Sequence, residues 1–367
     1  MRFGIITHYD VHNHGAILQL TALIRVLSLR GVTAKALRFD KNYDFLGVEL
    51  KSKYNVSIKS IGFYLQYLLQ CGLKKTWFNV RKQRLLNMFK KQNELIGDYY
   101  SKARSLDAVI VGSDEVFALH TGPTPVFFGH ALSTNYVFSY AASFGPTTID
   151  DVKYCHCEAF ISSGLKAMKM ISVRDQNSQF VVESLTGIKP VLVCDPVILY
   201  GYQNEISNLN KPDKPPYLLV YAYDNRMNDP EEIAIIKEYA HQKGLKVLSP
   251  GFYHAWCDYN VNVDPIELLG YFRYAKAIVT DTFHGSVMSI ITNSPFLVKT
   301  RANNYNKLYN LLEEYGLSDR ILLESRVETI DSIFNQEINW NEVNREVEKR
   351  REDSLAFLEG ILNCCHE

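Results

Sequence analysis

Long apolar runs are what this sequence most plainly lacks: no stretch reaches the roughly 18 uninterrupted apolar residues of a spanning helix. The amino terminus, MRFGIITHYD, has no apolar core of the kind a secretion signal needs and reads as a short strand entering a polar loop. A cytosolic protein is therefore expected. Net charge is lacking too. Lys plus Arg and Asp plus Glu both number 40, which gives no global attraction for a polyanion, so nucleic acid is not an expected partner and any basic site must be local. Seven cysteines scattered through 367 residues argue against a disulfide framework. Cys155-His156-Cys157 and Cys364-Cys365-His366 group ligand-type side chains without the spacing usual at zinc, so reduced thiols and no metal are expected. Also missing are a Walker A loop, G-x-G-x-x-G, a G-x-S-x-G elbow and H-E-x-x-H. Nucleotide hydrolysis, dinucleotide redox, serine hydrolysis and zinc proteolysis fall in rank accordingly.

What is present is an ordinary globular composition, 47% hydrophobic and 22% charged, in a chain longer than one hydrophobic core usually serves. Two α/β domains are expected, meeting at a cleft. Residues 2–7 are apolar and strand-like, Gly15 breaks the chain, AILQLTALIRVLSLRG follows with helical spacing, and TAKALRF supplies a second strand. This is a βαβ unit, which implies a parallel sheet with a ligand-accepting loop at the strand's carboxyl end. DAVIVG, NYVFSYAASFG, MISVRD and PVLVCDP repeat the buried strand ending in polar residues or glycine. GYQNEISNLNKPDKPP at 201–216 reads as a linker. Domains are placed at 1–205 and 206–367. The second restarts with YLLVYAY, a helix over 230–243, LKVLSP, a helix over 264–274, KAIVTD and a helix opening at His284. It closes on a charged amphipathic helix from Asn339 to about Leu362 that could pack back on the first domain.

Residues 41–105 interrupt this alternation as a basic helical insertion. IGFYLQYLLQCGL is apolar, and Lys74, Lys75, Arg81, Lys82, Arg84, Lys90 and Lys91 follow without an acid. Two readings are open: residues 59–91 as a peripheral membrane contact, with apolar side chains dipping among anionic head groups, or a core-packed insertion with a solvated basic face.

The strongest chemical signal is TDTFHGSVMSII, where a strand ends at Asp281 and a helix begins near His284-Gly285-Ser286. Free N–H groups and the positive end of the dipole suit an anion there, Gly285 permits close approach, and His284 can exchange a proton near neutral pH. A capped helix with a structural histidine is the plainer alternative. Arg174 closes the strand ISVRD, placed to grip phosphate or carboxylate through paired hydrogen bonds, with a salt bridge to Asp175 as the alternative. VGSDEVF sets Ser113 and Asp114 after a buried strand, where they could bind sugar hydroxyls or simply form a turn and a cap. In THYDVHNHGA, Asn13 and His14 precede a helix and read as polar ligand contacts, since no ligand set for a metal is completed.

In order and spacing, HNHGAILQLTAL, VGSDEVF, SYAASFG, ISVRD, CDPV, TDTFHGSV and NNYNKLYNLLEEYGLSDRIL resemble the polysaccharide pyruvyl transferase family, from the first strand to about residue 323. The resemblance implies two Rossmann-like domains in a GT-B-like arrangement, and transfer of pyruvate from phosphoenolpyruvate to a sugar of a surface-polysaccharide precursor, commonly as a ketal. No cofactor beyond that donor is implied. Arg174 matches the family arginine that grips the donor, and His284 the histidine credited with acid–base work. Gly285 and Ser286 would join them in donor binding. Some members carry an arginine two residues before this histidine, where this chain has Thr282. Lys299 and Arg301 are the expected replacements. The acceptor is expected to be a sugar, on a lipid-linked precursor at the inner membrane face. Rival readings are a GT-B glycosyltransferase using a nucleotide sugar and a non-catalytic sugar-binding protein of polysaccharide assembly.

Overall fold

The computed structural model describes residues 1–40, 60–121, 123–301 and 304–366, with the side chains of 60–71 and 121 outside the description. Among the described residues thirteen strands fall into parallel sheets. The first sheet contains β1 (Arg2–Ile6), β2 (Thr33–Arg38), β3 (Ile96–Tyr99), β4 (Ala108–Val111) and β5 (Val137–Ser139), in the order β3-β2-β1-β4-β5. Its centre is apolar on both faces, as AVIV of β4 shows, because helices cover both sides of a parallel sheet. A short pair, β6 (Ser172–Val173) and β7 (Val191–Leu192), continues this sheet through bridges from Phe138 to Met170 and from Ala142 to Val173.

The second sheet holds β8 (Tyr217–Tyr221), β9 (Lys246–Pro250), β10 (Tyr259–Val261), β11 (Ala277–Thr280), β12 (Phe296–Lys299) and β13 (Ile321–Leu322), in the order β10-β9-β8-β11-β12-β13. Each sheet reverses its winding once, between β1 and β4 and between β8 and β11. In open α/β sheets the crevice beyond the carboxyl ends at such a reversal is where ligands bind. Here the two crevices face each other.

Contacts between the halves are specific. Asn13 Nδ2 donates to the Tyr223 hydroxyl at 3.2 Å, and His14 Nε2 donates to the Val263 carbonyl at 2.8 Å. The closing helix, Trp340–Cys364, lies against residues of the first half: the Cys194 amide donates to Ser354 Oγ at 2.9 Å, and Arg351 Nε to the Ile198 carbonyl at 2.6 Å.

Two stretches differ from the sequence expectation. Residues 201–216 are not all linker, because Gln203–Asn208 is helical and its buried Ile206 offers its carbonyl to Arg273. The 41–105 stretch is more than an insertion. Its residues 41–59 lie outside the described residues, but Ser60–Gln92 is a helix, bent where Gly72 takes φ 73°, leading into the edge strand β3 beside β2. IGDY was illegible because an edge strand half open to solvent needs no apolar alternation. Leu86 and Phe89 of the long helix enter the first core, while the Phe78 carbonyl accepts from Asn262 at 3.0 Å, so the helix touches both halves. Its Lys82 is buried rather than solvated. Among the described residues no helix is long and apolar enough to cross a membrane.

Candidate active site

The helix Phe283–Ile291 starts tightly against β11 because Thr282 caps it, accepting from the Gly285 amide at 3.0 Å. Thr280 Oγ1, pinned to the Tyr221 carbonyl at 2.7 Å, fills the space beside Gly285, where a Cβ would come within 2.1 Å of it. The sequence reading of these positions is thereby corrected. Gly285 yields room to the chain's own threonine, not to a ligand. Ser286 is buried, with its amide and hydroxyl both donating to the Thr282 carbonyl, each at 3.2 Å.

One residue earlier the side chain points elsewhere. His284 lies against Gly15 of the first helix, His14–Ser28, where a Cβ would approach its Cγ to 2.3 Å. It is buried, and among the described residues its Nε2 has no hydrogen-bond partner and the nearest carboxylate oxygen, Asp195 Oδ2, stands at 3.7 Å. Burial pushes its pKa below the free value, helped by Arg174 and Lys307 and opposed by Asp195 and Asp114, so the imidazole is neutral at neutral pH.

Arg174 reaches the same place from the end of β6. Its Nη1 donates to Asp195 Oδ2 at 2.9 Å and its Nη2 to Asp114 Oδ1 at 3.0 Å, with the guanidinium 4.4 Å from the centre of the Phe283 ring. Asp175 is not its partner; that carboxylate caps the following helix by accepting from the Ser178 amide. Burial alone would raise the Asp114 carboxyl, but Arg174, with His284 and His8 behind it, holds it well below the usual carboxylate range. Asp114 has φ 80°, a left-handed conformation that a non-glycine residue adopts only where its surroundings enforce it.

These side chains wall a cavity of about 310 Å³ between the two crevices. His8 and Asp114 come from beyond β1 and β4, Tyr223 and Arg226 from beyond β8, and Asp281 to His284 from beyond β11. Of the residues expected from the sequence, His284, Arg174, Asn13 and Asp114 meet here. The others do not line it. Ser113 is buried behind, donating to Gln19 Oε1 at 2.8 Å. His14 is buried against Gly251. Lys299 turns to Ser325 and Glu232 beside a separate apolar cavity. Arg301 donates to Asp281 Oδ2 at 2.8 Å and to Glu232 Oε2 at 3.2 Å, and so braces the cavity wall from outside.

Sequence reasoning missed several cavity residues, Lys307, Arg226, Tyr223 and Phe252 among them. Lys307 Nζ donates to Glu115 Oε1 at 2.7 Å across the cleft. Arg226 has its Nη1 3.5 Å from the Asp281 carbonyl and 3.9 Å from Asp281 Oδ2. Tyr223 and Phe252 add an aromatic wall. Lys307 carried one signal, its place inside a motif already quoted; Arg226 follows β8 in a polar loop with none. Burial raises the Asp281 carboxyl pKa against the pull of Arg301 and Arg226; Arg301 holds that carboxylate at 2.8 Å and Arg226 stands farther off at 3.9 Å. No group of three or more His, Cys, Asp or Glu side chains among the described residues is arranged to hold a metal.

Paired parallel sheets with a shared crevice define a GT-B-like fold. Solved structures of similar fold include Arabidopsis thaliana UGT89C1 complexed with UDP-L-rhamnose, at 11% identity, 99% coverage of both chains and a TM-score of 0.54. The S. aureus MnaA–UDP co-structure matches at 12% identity over 100% of this chain and 98% of that one, TM-score 0.53. The UDP-GlcNAc 2-epimerase from Neisseria meningitidis bound to UDP-GlcNAc matches at 13% identity over 99% of this chain and 100% of that one, TM-score 0.51. At these identities the likeness is one of fold. The sequence settles the family: residues 13–303 match the polysaccharide pyruvyl transferase pattern, and the chain belongs to that family of transferases. No curated protein is detectably similar in sequence.

Proposed function

We propose that the chain moves the pyruvate unit of phosphoenolpyruvate onto a sugar of a surface-polysaccharide precursor, as a ketal across two hydroxyls, with release of phosphate. The observation that carries this reading is the meeting of Arg174 and His284 in one cavity where the two sheets present their switch points. A donor bearing both carboxylate and phosphate needs several cations, and Arg174, Arg226 and Lys307 are in the wall. Arg226, rather than Lys299 or Arg301, stands in for the arginine that Thr282 replaces.

In this mechanism His284 as imidazolium protonates the donor methylene, and a sugar hydroxyl attacks the adjoining carbon, returning its proton to His284. The bond from that carbon to the phosphate oxygen then breaks. A second hydroxyl attacks the same carbon, and its proton leaves on the phosphate. One donor and two hydroxyls yield one ketal and one hydrogen phosphate, and no further cofactor takes part. His284 is neutral in the free enzyme, and the negative charge of a bound donor raises its proton affinity, so proton and donor load together. Arg174 offsets the donor's charge as it shifts between groups.

Calorimetric titration with phosphoenolpyruvate tests the donor. Micromolar binding lost in Arg174→Ala, weakened in Arg174→Lys and weakened least in His284→Ala is the expected result. Heat from uridine nucleotides and none from phosphoenolpyruvate would turn the reading to a nucleotide-sugar glycosyltransferase. Unchanged polysaccharide output with His284→Ala would turn it to a sugar-binding assembly protein.

The same reading places the protein in the cytoplasm, with peripheral contact at the inner membrane face through residues 59–91. Exposed Leu73, Trp77 and Met88 beside exposed Lys74, Arg81, Arg84 and Lys91 support this, and flotation with anionic liposomes tests it. No association by the full chain removes the proposal.

A further inference from the structure

A second cavity, of about 510 Å³, opens between the long helix Ser60–Gln92 and the loops beyond β8 and β9. It shares two wall residues with the central cavity, Tyr223 and Phe252, so the two are neighbours across one aromatic partition. Its remaining wall is polar and amide-rich, with Thr76, Asn79 and Gln83 from the helix and Asn225 opposite. Such a mixture of aromatic faces and amides suits a carbohydrate.

Lys82 sets this groove apart. Lys82 is 7% exposed, yet among the described residues its ammonium makes no hydrogen bond or ion pair; it lies 4.1 Å from the centre of the Phe252 ring, and Asp224 acts on it only as a nearby charge. A buried ammonium without an anion is costly, and proteins retain such groups where a ligand completes them. The acid that shares the wall, Asp224, is already engaged: it accepts from Asn79 Nδ2 and from the Tyr253 amide, both at 3.1 Å, and lies 3.8 Å from Lys75 Nζ. His12 also faces the groove, and burial together with Lys90 and Lys82 lowers its proton affinity, so it faces the groove as a neutral imidazole.

We propose that this groove is the acceptor subsite, and that Lys82 seats an anionic group, phosphate or carboxylate, carried by the acceptor sugar while the sugar lies along Phe252 and Tyr223 toward His284. The inference rests on the pyruvyl transferase reading for what occupies the neighbouring cavity, but the groove itself is testable without it. Binding of glucose 1-phosphate, glucuronate, inorganic pyrophosphate and neutral methyl glucoside is measured by ligand-observed NMR on wild type and Lys82→Met, with and without saturating phosphoenolpyruvate.

The methionine keeps the apolar stem on Phe252 and removes only the charge, so its melting temperature is expected to equal or exceed that of wild type. At least one anionic probe should bind wild type and lose tenfold or more in Lys82→Met, while methyl glucoside is indifferent to the substitution. A preference for the phosphates assigns a phosphate-linked acceptor, and a preference for glucuronate an acidic polymer. Anion binding that survives Lys82→Met unchanged, absence of anion binding in wild type, or a melting temperature lowered by the substitution would each overturn the proposal. If phosphoenolpyruvate fails to bind while anion binding still depends on Lys82, the donor reading falls and the groove stands.

Discussion

Two histidines, one from each half of the molecule, are buried against a glycine of the opposite half, and their fates diverge. His14 of the first half lies over Gly251 of the second, and His284 of the second lies over Gly15 of the first. A Cβ on either glycine would strike the ring, at 2.5 Å from His14 Cε1 and 2.3 Å from His284 Cγ. His14 donates from Nε2 to the Val263 carbonyl and does not line the cavity, whereas His284 keeps Nε2 unpartnered at the cavity wall. Equal burial therefore makes one histidine a strut and leaves the other at the cavity wall, where the proposed mechanism uses it as a reagent. The deciding variable is what Nε2 meets, a carbonyl in one case and no hydrogen-bond partner among the described residues in the other.

The largest expected difference lies in turnover. His284→Asn should lower phosphate release from phosphoenolpyruvate by about 10³-fold, as loss of a general acid–base does, with the melting temperature unchanged. His14→Ala should do the converse. Losing the ring contact and leaving the Val263 carbonyl unsatisfied should destabilise by about 2–4 kcal/mol in urea unfolding, with turnover per folded molecule retained. Gly15→Ala sharpens the contrast because it moves the reagent without removing it. A displacement of about 1 Å should reduce turnover about 100-fold while donor affinity holds.

The smallest effect is in pH. Burial, with Lys82 nearby, pushes His14 down to about 3 in the native state, against the pull of the Val263 carbonyl. The unfolded chain takes up a proton near pH 6.5 that the folded chain refuses, so this contribution to stability is whole above that pH. It declines by roughly 1.4 kcal/mol per unit as the pH falls from there toward 3. Urea midpoints at pH 7 and pH 5 should show a slope that His14→Gln reduces and His284→Gln reduces less.

The fold was legible wherever burial on both faces wrote an unbroken apolar run. AVIV, YLLVY and AIVT became β4, β8 and β11 within a residue or two of the expected limits. NYVFSYAASFG shrank to the three residues of β5, because Ala141 and Gly145 have positive φ, which breaks the strand while the side chains stay buried. Arg174 and His284 could be read because each sits at the end of such a run. His14 of THYDVHNHGA was read as a ligand contact because its partners, the Val263 carbonyl and Gly251, are not local to it in sequence. Arg226, Lys307 and Lys82 escaped for a related reason: on a loop or a helix, a cation that will face a cavity has the same local pattern as one that will face water. Thr282, read as a lost arginine, proved to be the cap that fixes the helix start.

The crossed glycine seats bind the two halves into one mechanical unit. Any hinge motion that draws Gly15 away from His284 also draws Gly251 away from His14, since each half holds one ring and one seat. Opening the cleft thus dismantles the reagent's socket and strips the strut of its cover in the same stroke. On the proposed mechanism, a form with the halves drawn apart would be a disarmed one, its histidine out of its seat.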